Sequence, residues 1–322
     1  MFDVVTIGAA TRDVFLRSRE FRVMPMPGSP GVMAECVTLG SKIDIDDITY
    51  ATGGGATNAA VTFARLGFSV ATITRIGDDP TGKDIIDDLE RNKVDTSLIK
   101  VVKKGKSAYS TLLTAMNGER TALVYRGVAN DFSESDVVLT KLKTQGIYIT
   151  SLAGNTALVL KVAQFAHKKG IAVAWNPGAA EIAGGRSMHP ISKLMSVVLL
   201  NREEAQQLAG RKDEPKSLAK SLAVPGQTIV ITDGPNGALA YRDGNAWFAR
   251  TTGKPSLSRT GAGDAFGSAF VAALMRGLEP QDALRVGTVN AESVIQHVGA
   301  KAGILSAWPK AAALSAIRVR SM

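Results

Sequence analysis

A run of small residues that ends in a carboxylate offers the clearest chemistry in this sequence. The run is Gly261, Ala262 and Gly263, followed by Asp264 and an apolar stretch that predicts a helix. Free backbone N–H groups at the start of a helix form an anion hole, and the helix dipole adds to the attraction of negative charge. The same dipole favours the ionised form of Asp264, which could then accept a proton. The alternative interpretation of Asp264 is an ordinary helix cap.

A second glycine run precedes another predicted helix early in the chain. Gly53, Gly54 and Gly55 lead into that helix, and Asn58 falls in its first turn. Asp13 follows soon after the first predicted strand. Amide and carboxylate groups suit sugar hydroxyls because between them they donate and accept hydrogen bonds. Taken singly, each of these residues could equally be a cap or a turn residue.

Two other glycine patterns are weaker. The segment from Gly77 to Asp84 nearly fits a phosphate-binding P-loop, but Asp84 replaces the Ser or Thr whose hydroxyl would ligate magnesium. Asp78 and Asp79 would also repel phosphates, so this segment predicts a turn followed by a helix. The glycines within 261–267 resemble a dinucleotide fingerprint, but they do not follow the first strand.

Composition excludes several classes of site and protein. The chain has 322 residues, of which 45% are apolar and 21% are charged, which is typical of a globular protein. The single cysteine, Cys36, excludes a disulfide framework and a multi-cysteine zinc site, and the three histidines share no ligand-like spacing. Asp3 and the lack of a basic leader argue against secretion, and the charge-free stretch 144–160 is too short to span a bilayer. We therefore expect a cytoplasmic protein without a membrane partner.

The net charge of +9 has more than one interpretation. It fits a solvated basic surface or the attraction of a phosphate-bearing substrate. The densest basic cluster comprises Lys100, Lys103, Lys104 and Lys106, and no aromatic residue interleaves with it. Base stacking would lack a platform there, so we do not expect a nucleic-acid partner.

Short apolar strands alternate with helical segments from Ala56 onward. This order predicts a mostly parallel sheet that is covered by helices on both faces. The pattern predicts helices over Thr156–Lys169 and Ser133–Lys143, a hairpin that turns at Asn117-Gly118, and a helical tail from Pro309. Before Ala56, alternating apolar and polar residues predict a small β-unit with one wet face.

Several of these residues have spacings that resemble those of the ribokinase-like (PfkB-type) carbohydrate kinase family. The stretch from Gly53 to Gly77 is similar to the family's first signature. The residues from Gly261 to Asp264, with Ser268 and Ala269, are similar to its second signature. Further matches are Asp13, Asn201 with Glu204, and the segment from Thr232 to Gly237. Two long signatures in the right order are far more specific than either one alone.

The resemblance implies an α/β fold, the ribokinase-like three-layer αβα sandwich with a mostly parallel central sheet and a small β lid. Residues 1–12, 51–106 and 127–322 would form the core, which binds nucleotide and substrate. Residues 13–50 and 107–126 would form the lid. A lid that closes would exclude water, which otherwise competes as the phosphoryl acceptor. Family lids often pair their edge strands, so a homodimer through the lid is expected.

The resemblance also implies a reaction, the transfer of the γ-phosphate of ATP to a hydroxyl group of a sugar in the presence of Mg²⁺. Asp264 would then be the catalytic base, and the amides of Gly261, Ala262, Gly263 and Asp264 would hold the moving phosphoryl group. The residues implied to bind substrate are Asp13, Gly54, Gly55, Asn58 and Arg126. Those implied to contact the nucleotide are Asn201, Thr232, Gly234, Gly237 and Asn290. Glu204 would support magnesium through a water molecule.

The chain departs from the family pattern just before the anion hole. Ser258, Arg259 and Thr260 stand where the family commonly has Asp-Thr-Thr or a similar run. In the ribokinase branch that leading Asp commonly helps to hold a monovalent cation, so potassium activation is in doubt. Our hypothesis is that the fixed charge of Arg259 replaces that of the cation. The alternative is that Arg259 points to solvent.

The acceptor stays open, because family members act on sugars, sugar acids, sugar phosphates and nucleosides. Arg126 could meet a carboxylate or phosphate through a bidentate contact, or it could be a surface residue. A nucleoside kinase would want an aromatic or apolar clamp for the base, and aromatic residues make up only 6% of the chain, although Phe15 or Phe21 in the lid could serve. A non-catalytic sugar- or nucleotide-binding relative is the alternative from another class. The intact run from Gly261 to Asp264 argues against it.

Overall fold

The largest element of the computed structural model, which describes residues 1–116 and 120–322, is a sheet of nine strands. From one edge to the other these strands are β6 (Val70–Ile73), β1 (Phe2–Ile7), β11 (Thr144–Ile149), β12 (Ala172–Trp175), β13 (Val197–Asn201), β14 (Thr228–Thr232), β15 (Ala238–Arg242), β16 (Asn245–Ala249) and β17 (Val319–Ser321). The first six strands run parallel, and each of the last three pairs antiparallel with the strand before it in this order. The predicted, mostly parallel sheet is confirmed.

Helices cover both faces of this sheet, which gives three layers. The longer helices are α1 (Gly55–Arg65), α2 (Pro80–Arg91), α3 (Thr156–Lys169), α6 (Arg202–Ala209), α7 (Pro215–Leu222), α8 (Ala262–Met275) and α9 (Pro280–Val294); the shorter ones are α4 (Ala179–Ile182), α5 (His189–Ser192) and α10 (Ala311–Ser315). Helices α1, α2, α8 and α9 pack into one apolar core, and α3, α6 and α7 pack into a second core on the opposite face. Among the described residues, no helix is long and apolar enough to cross a membrane.

A smaller sheet of four strands stands apart from the large one. Its order is β10 (Arg120–Tyr125), β9 (Ala108–Thr114), β2 (Thr11–Arg17) and β5 (Asp47–Gly53). Two further pairs are β3 (Arg22–Pro25) with β4 (Met33–Cys36) and β7 (Arg75–Gly77) with β8 (Lys100–Val102). Strands β9 and β10 pair as the sequence predicts, but the turn at Asn117-Gly118 lies outside the described residues.

Exposure alternates along the inner strand β9, where Ser110 and Leu112 are buried and Tyr109 is exposed. It does not alternate along the other inner strand, β2, because Asp13, Val14 and Phe15 are all buried. The wet face predicted before Ala56 is therefore incomplete, since Tyr50 on β5 is exposed but its partner Val14 on β2 is buried. The strands occupy 11–17, 47–53, 108–114 and 120–125, close to the segments 13–50 and 107–126 that we assign to a lid.

The prediction of a helix over Ser133–Lys143 is wrong. That segment holds two short 3₁₀ turns instead, Glu134–Asp136 and Leu139–Lys141. The Asp136 side chain accepts a hydrogen bond from the backbone N–H of Ser133 and pairs with Arg75 at 2.7 Å, which closes the first turn after three residues. The tail is helical only over α10, and it then adds β17 to the edge of the large sheet.

Candidate active site

The candidate site lies where the two glycine runs lead into α1 and α8. The side-chain amide of Asn58 donates a hydrogen bond of 2.8 Å to the Asp264 carboxylate. Asn58 is buried, and Asp264 is half-buried in the first turn of α8. The fold thus joins two candidate residues that the sequence places in separate motifs.

Two effects oppose each other at the Asp264 carboxylate. Burial raises its pKa above the usual value, and the hydrogen bond from Asn58 lowers it.

Nearby, the fully buried hydroxyl of Tyr148 has no hydrogen-bond partner among the described residues. Burial raises the pKa of Tyr148 well above its usual value, and the charge of Asp264 raises it further, so the hydroxyl stays protonated. Sequence reasoning missed Tyr148, because no motif marks it.

The other end of the Asn58 side chain is unsatisfied. Its carbonyl oxygen is buried and accepts no hydrogen bond from any described residue. A buried polar atom without a partner costs free energy of about 1–3 kcal/mol. A hydroxyl group that donates to this oxygen would remove that cost beside the Asp264 carboxylate.

The start of α8 meets the requirements of an anion hole. Gly261 has a φ of +79°, and a Cβ there would stand 2.4 Å from the Cβ of Ala300, so only glycine fits. The amide of Ala262 already donates to the carbonyl of Arg259 at 3.3 Å. The first-turn amides of Gly263 and Asp264 precede any acceptor within the helix and are left to bind an anion.

Gly263 opens onto a cavity of about 570 Å³. A Cβ on Gly263 would meet nothing within 4 Å outside its own helix, so this backbone faces open space. The cavity is also lined by four of the predicted nucleotide contacts, Asn201, Thr232, Gly234 and Gly237, and by Arg259. The Arg259 side chain is exposed, but it borders the same space as Gly263. The cavity therefore joins a basic side chain to the candidate anion hole.

Glu204 and Asn290 do not line this cavity. Glu204 closes a capping box with Asn201 at the start of α6, with both hydrogen bonds at 2.8 Å. Burial raises the pKa of Glu204, and the charge of Glu203 adds to the effect. Asn290 is fully buried within α9. Its amide donates to Ala265, and its carbonyl accepts from Leu305.

Asp13 lies on β2 and is buried against the turn that enters α1. It accepts a hydrogen bond from Thr11 at 3.0 Å, and a Cβ on Gly53 would stand 2.1 Å from its carboxylate. Burial raises the pKa of Asp13, whereas its hydrogen bonds and the charge of Lys301 act to lower it. Gly54 and Gly55 pack on the backbone after β1 and on Thr150. These contacts hold Asp13 beside the glycine run.

Two other sequence features lie apart from the Asn58–Asp264 pair. Arg126 is exposed just after β10, and among the described residues no hydrogen bond or ion pair links it to that pair.

Asp79 caps α2 by accepting a hydrogen bond from the amide of Gly82 at 2.8 Å, and Asp84 pairs with Arg12 at 3.4 Å. The segment from Gly77 to Asp84 is therefore a turn followed by a capped helix, as predicted.

A buried ion pair that sequence reasoning missed lies on the other side of Asp13. The Lys301 ammonium donates to Asp88 at 3.1 Å and to the hydroxyl of Thr52 at 2.8 Å. Burial lowers the pKa of Lys301, and the charge of Asp88 opposes this. The pair links α2, the strand β5 of the small sheet and the loop after α9.

Comparison with known proteins places this geometry in context. A profile described as pfkB family carbohydrate kinase matches residues 1–307. Ribokinase from Haemophilus influenzae is 29% identical over 78% of this chain and 83% of its own length. A 5-dehydro-2-deoxygluconokinase from Clostridium perfringens is 28% identical over 76% of this chain and 78% of its own length. The solved ribokinase of Cryptococcus neoformans in complex with ADP superposes with a TM-score of 0.75 at 22% identity, covering 98% of this chain and 99% of that one.

Proposed function

Because this chain belongs to the pfkB family of carbohydrate kinases, we propose that it transfers the γ-phosphate of ATP to a hydroxyl group of a sugar, with Asp264 as the catalytic base. The observation that carries the proposal is the contact between Asn58 and Asp264 at the open start of α8. Three groups lie close together there: the Asp264 carboxylate, which can accept a proton; the Asn58 carbonyl oxygen, which lacks a hydrogen-bond donor; and the free backbone amides of Gly263 and Asp264. Phosphoryl transfer needs little else, because positioning and electrostatic stabilisation carry most of its catalysis.

In this proposal Asp264 takes the proton of the acceptor hydroxyl. The Asn58 carbonyl and the Asp13 carboxylate receive hydrogen bonds from other hydroxyls of the sugar, and Gly54 and Gly55 shape the wall beside them. Arg126 would reach the acceptor only if the small sheet closed over the site. The amides of Gly263 and Asp264 stabilise the transferred phosphoryl group, and Gly261 and Ala262 hold the loop that presents them.

The cavity of about 570 Å³ beside α8 would hold ATP. Thr232, Gly234 and Gly237 would line the nucleotide, and Arg259 would meet its phosphates. Asn290, which is occupied within α9, would support this wall from behind rather than touch the nucleotide. When bound, ATP supplies the phosphoryl group that is transferred.

Magnesium would be held mainly by the phosphates. No cluster of three or more metal-ligating side chains occurs in the described part of the chain. Mg²⁺ bound with nucleotides usually keeps several waters and takes one or two carboxylates, so a single carboxylate such as Glu204 suffices, acting through water. When bound, Mg²⁺ neutralises phosphate charge. Asn201 orients Glu204 through the capping box.

The four-stranded sheet is the proposed lid, and its edge is the proposed dimer contact. Every residue of β10 is exposed, including Leu123 and Tyr125, and β10 is an edge strand. An exposed edge with apolar side chains invites pairing with a second copy. Sedimentation of the wild type and of Leu123→Glu would test this: we expect a dimeric wild type and a monomeric variant, and a monomeric wild type would contradict the proposal.

The cytoplasmic location stays a prediction.

The test of the kinase proposal is a coupled assay of ADP release. The panel contains ribose, fructose, 5-dehydro-2-deoxygluconate, sugar phosphates and nucleosides, each with ATP and Mg²⁺. We expect turnover with a sugar or sugar acid, and a loss of about 10²–10⁴-fold in Asp264→Asn with ATP binding retained. Turnover with nucleosides alone would replace the sugar by a nucleoside and leave the role of Asp264 standing. ATP binding without turnover across the panel would favour a binding protein.

A further inference from the structure

Three arginines share one face of the last two strands of the large sheet. Phe248 on β16 stands opposite Arg320 on β17. Two residues further along, the amide of Arg250 donates to the carbonyl of Arg318 at 3.2 Å, so these two residues are also cross-strand neighbours. Side chains alternate between the faces of a strand. Arg250, Arg318 and Arg320 therefore project on the same side as Phe248.

This face is turned away from the proposed nucleotide cavity. Ala249 packs into the core formed with α8 and α9, whereas Phe248, the preceding residue, packs against the core on the opposite face. The three arginines and Phe248 line a second cavity of about 580 Å³, and Pro235, Asn236 and Val319 complete its lining. This second cavity contains no part of the Asn58–Asp264 pair.

The arginine charges are not neutralised within the part of the chain that the structure describes. None of the three lies within ion-pair distance of a described carboxylate. Asp233, the acidic residue that adjoins this loop, is already paired with Arg202 at 3.2 Å. Arg250 and Arg318 lie just outside β16 and β17, and both are exposed. Their like charges repel each other, and an anion placed between them would relieve this repulsion.

We propose that this cavity is a second anion site that binds a small compound with two or more adjacent phosphate groups. Guanidinium groups hold phosphate oxygens through paired hydrogen bonds, and three of them match more than one phosphate. Arg320 lies over the Phe248 ring at 5.5 Å, so the ring orients a guanidinium and is not free to stack on a base. The ligand is recognised by its charge rather than by a ring.

The anion site is connected to the nucleotide cavity by a short segment of backbone. Pro235 borders both cavities. Thr251, which follows Arg250 and lines the nucleotide cavity, donates to the carbonyl of Pro235 at 2.7 Å. An anion that holds Arg250 in place therefore also holds one wall of the nucleotide cavity. We expect the occupied site to change the apparent affinity for ATP.

Calorimetric titration with pyrophosphate tests the site without relying on turnover. The nucleotide cavity is first saturated with a non-hydrolysable ATP analogue, whose γ-phosphate also occupies the start of α8, so that pyrophosphate reports only on other sites. We expect one saturable site in the wild type, a loss of affinity of at least tenfold in Arg250→Gln/Arg318→Gln, and a weaker site in Arg320→Gln. Arg22→Gln, which alters an exposed arginine on β3, is the matched control and is expected to bind as the wild type does.

Three results would overturn the proposal. The first is an absence of saturable binding to the wild type. The second is equal affinity in the wild type and the double variant, both shown to be folded by their melting transitions. The third is equal displacement of pyrophosphate by sulfate at the same ionic strength, which would reduce the cavity to a general basic surface. Loss of kinase turnover would bear only on the proposed activity, because this assay measures binding alone.

Discussion

Asn58 and Asp264 are 206 positions apart in the sequence, and the fold joins them by a hydrogen bond of 2.8 Å. Each residue lies near the start of its helix, so the bond brings the N-terminal ends of α1 and α8 together. The positive ends of both helix dipoles then act on one carboxylate. The protonation of Asp264 therefore reports on the contact between the two helices.

Replacing Asn58 by Leu should move the acid limb of the activity profile. A catalytic base must be ionised, so kcat/KM falls as the pH drops through the pKa of Asp264. Burial places that pKa above the usual value, and the hydrogen bond from Asn58 restrains the rise. Without the bond the pKa rises further, and the acid limb of kcat/KM shifts to higher pH.

The check is the dependence of kcat/KM on pH for the wild type and Asn58→Leu with the same acceptor. Asp264→Asn is the control and should have no such limb in its residual activity. A limb that stays in place, or moves to lower pH, would show that Asn58 does not act on the ionisation of Asp264.

Gly261 and Gly263 should respond differently to the same change to alanine. At Gly261 a Cβ meets Ala300 at 2.4 Å and φ is +79°, so we expect Gly261→Ala to lose about 2 kcal/mol of unfolding free energy. At Gly263 a Cβ meets open space, so stability should change by less than about 1 kcal/mol. That methyl group stands where phosphate would bind, so kcat/KM for ATP should fall about tenfold or more.

Urea denaturation and steady-state kinetics of the two variants separate these effects. Normal kinetics in Gly263→Ala would remove the start of α8 from the proposed phosphate site. Unchanged stability in Gly261→Ala would mean that the loop at Ala300 yields without cost.

Local signals in the sequence predict much of the fold. Helix α3 has the predicted bounds, because Asn155 caps its first turn and Gly170 ends it in the left-handed conformation. The turn between β15 and β16 follows from Asp243 and Gly244, which both adopt positive φ. Each of the two glycine runs leads into a helix, as the sequence predicts. In these places the local preference and the tertiary contacts agree.

The remaining features depend on contacts that no local pattern carries. The Ser133–Lys143 segment has helical spacing, but Arg75 draws Asp136 into an ion pair and ends the turn. The ion pair between Lys301 and Asp88 could not be predicted, because neither residue belongs to a motif and each alone is typical of a charged surface residue. The family resemblance implies that Asn58 and Asp264 serve one substrate, but it does not predict the hydrogen bond between them. Spacing says nothing about contacts between residues on different helices.

Arg259 should contribute to catalysis in place of a bound cation. Its side chain borders the cavity that Gly263 opens onto, and the position of Ser258 lacks the carboxylate that a cation would need. We expect Arg259→Ala to lower kcat/KM by about 10-fold to 100-fold, near the lower end because the guanidinium is exposed. We also expect wild-type activity to be insensitive to potassium.

The measurement compares kcat/KM with and without KCl at constant ionic strength. Lys254→Ala is the matched control, because Lys254 lines the same cavity but lies 3.9 Å from the carboxylate of Glu292, which offsets its charge. Its loss should be smaller than that of Arg259→Ala. Strong activation by potassium, with little effect of Arg259→Ala, would contradict the prediction.

The buried pair of Lys301 and Asp88 should stabilise the junction between the small sheet and the core. Lys301→Met leaves Asp88 and Thr52 without their shared donor. Removing one partner of a buried pair costs about 3–5 kcal/mol, and since Asp88 is partly exposed we expect about 2 kcal/mol here. The double variant Lys301→Met/Asp88→Leu should recover part of the loss, because no unpaired charge remains.

The pH dependence of this loss distinguishes an ionic role from packing. Burial alone would raise the pKa of Asp88, but the charge of Lys301 and the hydrogen bond from Thr52 hold it below the usual 3.8. A carboxylate with a lowered pKa contributes stability above its unfolded value and loses it as the pH falls through its folded value. The difference in unfolding free energy between wild type and Lys301→Met, from urea denaturation, should therefore be constant near neutral pH and shrink below about pH 4. A difference that persists unchanged in acid would assign the role of Lys301 to the packing of its methylene chain.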